Sequence, residues 1–156
     1  MSSKPASLYP IDAVVPHRRS MSLLDRIIEY GEEHIVAEVD VHPNAQFAVE
    51  DGVPSWVGIE YMAQAIAAYA GVEQHEKGEP AKVGFLVGAR KYQPSTAFFT
   101  HGSVLRITVT QAFQADNGLG VFDCVIDGDD KSRVESSLNV FQPDDVDAFL
   151  SGESPI

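Results

Sequence analysis

The apolar positions of this chain follow two different periods, and the change from one to the other marks its elements. From His34 to Val41 the apolar residues alternate through Ile35, Ala37, Val39 and Val41, the pattern of a half-buried strand. Leu23 to Tyr30 is a second apolar-rich run before it, and the intervening Gly31-Glu32-Glu33 predicts a hairpin. Four further strands are predicted late in the chain, at Val83–Tyr92, Ser103–Phe113, Gly118–Ile126 and Arg133–Phe141. Asp127-Gly128-Asp129-Asp130 has the composition of a hairpin turn between the last two. Between the early hairpin and the late strands the period becomes helical. Ile59, Met62, Ala63, Ile66, Ala67 and Ala70 fall on one face, which we expect to be buried. Pro54 suits a first helical turn because its missing N–H would have no acceptor there, and acidic Glu50 and Asp51 lie just upstream. His75 and Lys77 fall in a last turn, and Gly78 lies past it. Small residues at Gly58, Ala63, Ala65, Ala67, Ala68, Ala70 and Gly71 would let a sheet approach the helix closely. The expected fold class is α+β: one long central helix wrapped by a curved antiparallel sheet of about five to six strands.

Length and charge narrow this picture. A chain of 156 residues suits one core. We expect a flexible segment at 1–8, a domain over 9–143, and an acidic tail at 144–156 that forms a short helix or frays. The net charge of −12 argues against nucleic acid or an anionic membrane as the main partner, since both require a clustered basic footprint. No apolar run reaches the ~18 residues of a membrane span. No apolar stretch follows the first polar residues as in a secretory signal, so the expected location is cytoplasmic. Cys124, the single cysteine, lies in the alternating run Val121–Ile126 and reads as a buried small hydrophobe rather than a nucleophile.

The stretch Pro54-Ser55-Trp56-Val57-Gly58-Ile59-Glu60-Tyr61-Met62-Ala63-Gln64 holds the richest chemistry. Glu60 stands early in an otherwise apolar helix. Burial there would favour its neutral form, an acid able to donate a proton; on an exposed face it would instead favour the positive helix N-terminus. Gln64, one turn later, is placed to hydrogen-bond the Glu60 carboxyl or to satisfy the buried helix surface. Helical spacing alone leaves both pairs of readings open.

Pro54, Gly58, Glu60, Met62 and Gln64 match without a gap the helix-opening phrase of the hotdog-fold 3-hydroxyacyl-acyl-carrier-protein dehydratases of the FabA/FabZ type. Pro16-His17-Arg18 and Leu23-Leu24-Asp25-Arg26 match that family's N-terminal phrase, and the resemblance runs from about Val14 to Phe141. Val53 to Ala65 is most similar to the ApeP-type dehydratase subunits of aryl polyene biosynthesis. The resemblance implies a hotdog dimer with an interface strand near Val83 to Arg90, no cofactor and no metal. In the resembled enzymes a histidine removes the proton α to the thioester, a helix acid assists departure of the β-hydroxyl, and backbone N–H groups stabilise the enolate. Carried over in register, the acid is Glu60, assisted by Gln64, and the histidine position holds Gln46, followed by Phe47. Gln46 can orient and hydrogen-bond but cannot accept that proton. Ser55 replaces a glycine whose backbone approaches the thioester, with an N–H still expected to be available. Ser55, Trp56, Gly58 and Phe47 are thus the expected substrate-binding residues.

The resemblance further implies an acyl carrier protein as partner. Such carriers are acidic, so docking one on this acidic chain would need a local basic patch, for which Lys82, Arg90 and Lys91 are the candidates, with Arg18 and Arg19 as a second group. Dehydratase sites of this kind take the histidine from one subunit and the acid from the other. The implied partner is therefore a second copy, or a different histidine-bearing hotdog subunit. A non-catalytic acyl-binding or stabilising subunit is the alternative, and a hotdog thioesterase using the helix acid or glutamine is another. His42 precedes the Gln46 loop and is a candidate substitute base, although a surface turn is the commoner role. His17 is expected to pack locally, and His34, His75 and His101 show no partner spacing. No Cys/His or His/Glu cluster has metal-ligand spacing. Trp56 and Tyr61 are expected in the core or an interface, and Phe98-Phe99 along an acyl tunnel or the dimer seam.

Overall fold

The computed structural model describes residues 23–78 and 84–143. The expectations for 1–8, His17, Arg18, Arg19, Lys82 and the tail from 144 lie outside the described residues.

Strands β1 (Arg26–Tyr30) and β2 (His34–Asp40) form the early hairpin. A two-residue strand β3 (Val53–Pro54) and a single 3-10 turn (Ser55–Val57) lead into helix α1 (Gly58–Glu76). There follow β4 (Phe85–Arg90), a short β5 (Phe98–Phe99), β6 (Val104–Gln114), β7 (Leu119–Gly128) and β8 (Arg133–Phe141). Six strands form one sheet in the order β1-β2-β6-β7-β8-β4, antiparallel throughout, and β3 pairs with β5 in a separate ladder. The helix packs on β2, β6 and β7, the middle of that sheet. This is the α+β architecture expected, with β4 at one edge.

Alternation explains the sheet's inner face. Ile35, Ala37 and Val39 of β2, Leu105, Ile107 and Val109 of β6, Phe122, Cys124 and Ile126 of β7, and Val134 and Leu138 of β8 join one core beneath α1. Cys124 is buried as expected. Register shifts between Ile27 and Glu29, Leu86 and Gly88, and Gln111 and Phe113 place irregularities on three strands. Such bulges bend a strand and raise its twist, which lets the sheet curve around one helix. No helix among the described residues is long and apolar enough to cross a membrane.

The helix starts within a few residues of Pro54, as expected: Pro54 pairs with Phe98 and caps the 3-10 turn, and the regular helix follows from Gly58. Two expectations are corrected. The last hairpin turn lies later than Asp127–Asp130, because β7 continues to Gly128 and Lys131 takes the left-handed conformation (φ 70°). There the Asp130 carboxylate accepts the Ser132 N–H and the Thr100 N–H, each at 3.0 Å, which fixes the turn against a neighbouring loop. The second correction is the helix face. The side chains buried beneath α1 are Tyr61, Met62, Ala65, Ile66, Ala68, Tyr69 and Val72, whereas Ile59, Ala63, Ala67 and Ala70 are only half-buried.

Candidate functional site

Glu60 stands in the first turn of α1. The first N–H groups of a helix lack intrahelical acceptors and carry positive partial charge, so an acid here faces a favourable field. Gln64 is four residues on and falls on the same side. Its Nε2 donates to Glu60 Oε1 at 3.3 Å, and its Oε1 accepts the Leu23 N–H at 2.7 Å. Because a backbone donor claims the amide oxygen, the amide nitrogen must point at Glu60. Gln64 is fully buried (0 % exposed), which makes hydrogen-bond partners for its amide obligatory rather than incidental. The expected Glu60–Gln64 contact is thus present, and both sequence readings of Gln64 hold at once. Glu60 itself is half-buried.

Glu60 borders a cavity of about 470 Å³ between α1 and the sheet, a volume within the usual range of ligand sites. Ala63, Ile66, Ala67 and Ala70 form the helix wall, and Phe85, Leu86, Phe122 and Val140 face them. Glu73, Gln74, Gln111, Gln114 and Gln142 bring polar groups into the lining, Glu73 and Gln74 at the other end of the helix from Glu60. Tyr69 crosses from the core to this cavity. Its hydroxyl donates to the Glu32 carbonyl at 2.6 Å, and burial together with nearby Glu73, Glu33 and Glu32 pushes its pKa up to about 12.

The other expected site residues lie around the helix start. Gln46 is exposed on the loop after β2, and Phe47 beside it takes a left-handed backbone (φ 70°). Phe47 and Trp56 meet edge to face with ring centroids 5.6 Å apart, yet Trp56 remains 61 % exposed. Val49, two residues beyond Phe47, is exposed too. Tyr61, by contrast, is core, and Phe99 packs on it at 6.1 Å. Neither Phe98 nor Phe99 lines the cavity. Ser55 is buried, and its N–H, expected to be available to a thioester, donates to the Ala97 carbonyl at 2.9 Å. Gly58 opens the helix beneath Tyr92, whose hydroxyl donates to the Ser55 carbonyl. Tyr92 and the cavity's alanine wall were not singled out for the site in the sequence. The signal available was the run of small residues on α1, which could have been read as making room for a ligand as well as for the sheet.

Arg90 and Lys91 are exposed at the end of β4. His42 and His75 are exposed too. His34, expected without a partner, pairs with Glu29 at 2.6 Å, and His101 Nε2 lies 2.8 Å from the Val49 carbonyl. Among the described residues no group of three or more His, Cys, Asp or Glu side chains is placed to hold a metal.

A single long helix laid on a six-stranded antiparallel sheet, with an acid in the helix's first turn beside a cavity, defines a hotdog-fold protein. Residues 9–151 match the ApeP-like family, described as ApeP dehydratase, and the chain belongs to that family. It is similar to a chain of the dehydratase heterocomplex ApeI:P from Xenorhabdus doucetiae, with 31% identity over 92% of this chain and 97% of that one and a TM-score of 0.83. Two more distant structures share the fold. A hypothetical thioesterase from Streptococcus pneumoniae TIGR4, solved with coenzyme A, has a TM-score of 0.55 at 14% identity over 75% of this chain and 86% of that one. The PaaI protein of E. coli has a TM-score of 0.56 at 17% identity over 74% and 80%.

Proposed function

We propose that this chain is one subunit of a two-subunit dehydratase that eliminates water from 3-hydroxyacyl thioesters carried on an acyl carrier protein. The observation that carries the reading is the Glu60–Gln64 pair at the wall of a cavity lined by both apolar and polar side chains, in a chain with Gln46 where the resembled enzymes keep their base. Membership of a dehydratase family supports the reaction, and the relative solved as the ApeI:P heterocomplex supports a second, different subunit.

In this reaction a histidine of the partner removes the proton α to the thioester carbonyl. The electron pair left behind forms the Cα=Cβ bond as the Cβ–O bond breaks. Glu60, in its acid form, gives its proton to the departing hydroxyl, which leaves as water. Gln64 holds the carboxyl in place, and the acyl chain lies along Ala63, Ala67 and Ala70. The Phe47–Trp56 patch flanks the site, and Arg90 and Lys91 receive the acidic carrier.

The test is product identity, with the chain alone and with a co-purified histidine-bearing hotdog subunit, on a 3-hydroxyacyl thioester. The mixed complex should form the enoyl thioester. The chain alone should be slower by about 10²–10⁴-fold, the usual contribution of a general base, and Gln46→His should restore part of that loss. Equal rates for the chain alone would contradict the partner requirement, and His42→Ala would then show whether His42 serves as base. A free acid product would make it a thioesterase, and an assembled complex whose rate is independent of this chain's side chains would make it a stabilising subunit.

A further inference from the structure

The start of α1 is held by a side chain far from it in sequence. After β4 ends at Arg90, Lys91 takes a left-handed backbone (φ 57°), and Tyr92 then packs against the core. Its hydroxyl donates to the Ser55 carbonyl, and the Ile59 backbone N–H lies near enough to oppose part of the rise in its pKa. The Ser55 carbonyl also accepts the Gly58 N–H, so one hydroxyl joins the 3-10 turn to the first turn of the helix. The Tyr92 hydroxyl thus takes the second acceptor position of a carbonyl whose first is used within the turn. Burial raises the Tyr92 pKa, so the hydroxyl keeps its proton and remains a donor. Gly58 is the complementary half of the contact. A Cβ there would overlap the Tyr92 hydroxyl and come within 3.0 Å of Ile126 Cδ1. The segment carrying Tyr92 is tied down further along: the Ala97 carbonyl accepts the Ser55 N–H at 2.9 Å, and Ser95 exchanges bonds with Arg133 at 3.1 and 2.9 Å.

We infer that Tyr92, seated on Gly58, is a positioning residue for the dehydration: by fixing residues 55–59 it fixes where the helix begins and hence where the next residue, Glu60, points its carboxyl. Tyr92 does not line the cavity and acts only through the helix start. The inference rests on the reading of Glu60 as the acid. Gln64 holds that carboxyl from the following turn, and Tyr92 holds the backbone from the preceding one. Losing either would leave the carboxyl near its place but wrongly aimed. A displacement of about 1 Å at a reacting group is enough to cost on the order of 10²-fold in rate.

The test uses the complex with the histidine-bearing subunit and the N-acetylcysteamine thioester of a 3-hydroxyacid, comparing Tyr92→Phe, Gly58→Ala, the double variant, Glu60→Gln and a core control, Ile35→Val. Tyr92→Phe should lower kcat about 10- to 100-fold with little change in KM, since geometry at the reacting atoms is lost rather than binding. Gly58→Ala should be worse, and adding Tyr92→Phe should recover part of its activity and its melting temperature because the overlapping oxygen is gone. Ile35→Val should keep its kcat despite a lowered melting temperature. In the isolated chain the emission of Trp56, the single tryptophan, should shift in Tyr92→Phe, because Trp56 lies within the clamped turn. Wild-type kcat in Tyr92→Phe, with Glu60→Gln impaired, would overturn the inference. If Glu60→Gln is itself without effect, the reading of Glu60 falls. The clamp is then judged on Trp56 emission and the melting temperature of the double variant, and no change in either would overturn it as well.

Discussion

Tyr61, Met62, Ala65, Ala68 and Val72 face the sheet from α1 and are buried in the core, while Ala63, Ala67 and Ala70 on the cavity face stand between Glu60 and Glu73–Gln74 and leave space unfilled. Both faces are poor in charge, and what separates them is volume. The core face carries, beside Ala65 and Ala68, the larger side chains Tyr61, Met62 and Val72, and the helix packs there on β2, β6 and β7. On the other face the methyl groups stop short, and the space left over is the cavity. Apolar character therefore marks two different purposes on one helix, filling on one side and room on the other.

The largest effect expected of this difference is on stability. Met62→Ala removes a fully buried side chain and should cost about 2–5 kcal/mol in a denaturant titration, since the core can only partly collapse around the gap. Ala67→Leu should change stability by less than about 1 kcal/mol, because the added atoms enter open space. It should instead abolish turnover of long acyl thioesters while sparing short ones. A loss of stability from Ala67→Leu as large as that from Met62→Ala would show that the cavity face is packed after all.

A smaller effect distinguishes the dry core from the cavity rim at high pH. Burial, followed by the neighbouring Asp123, pushes the Cys124 thiol from its ordinary 9.0 up to about 12, and Tyr69 at the rim rises from 10.0 to about 12. In each case the folded chain favours the neutral form. This stabilisation is complete below the ordinary value and is lost as pH rises towards 12. Melting temperature should accordingly stay level to about pH 9 and fall above it, and Cys124→Ala should remove only the earlier part of that fall. A chain that loses stability already between pH 7 and 8, or whose Cys124 is alkylated readily there, would contradict the dry core.

The same contrast explains what could be read from the sequence. Strict alternation made β2, β6, β7 and β8 legible, because one face of each strand meets the core and the other does not. The helix was legible as an element but not in its rotation. Alanines at 63, 67 and 70 and isoleucines at 59 and 66 repeat at helical spacing as regularly as Tyr61, Met62, Ala65 and Val72 do, and hydrophobicity alone does not rank the two sets. The β3–β5 ladder was invisible, since each strand has two residues and one of them is Pro54. At the site, the Glu60–Gln64 contact followed from a spacing of four on a helix, and the resemblance is the source of the role proposed for each. Tyr92 could not be found this way. It reaches the helix start from 34 residues beyond Gly58 through the left-handed turn at Lys91, a contact made by the tertiary fold and not by any local pattern.

The central claim, that this chain supplies the acid of a shared site, is tested most directly by Glu60→Gln in the complex with a histidine-bearing hotdog subunit. The substitution keeps the size of the side chain and its ability to bond Gln64, but removes the proton to be transferred. Assembly and melting temperature should be unchanged, and kcat for enoyl thioester formation should fall about 10²–10⁴-fold, the range of a lost general acid. A complex that assembles normally and dehydrates at the wild-type rate with Glu60→Gln would contradict the account and leave this chain the role of a binding or stabilising subunit.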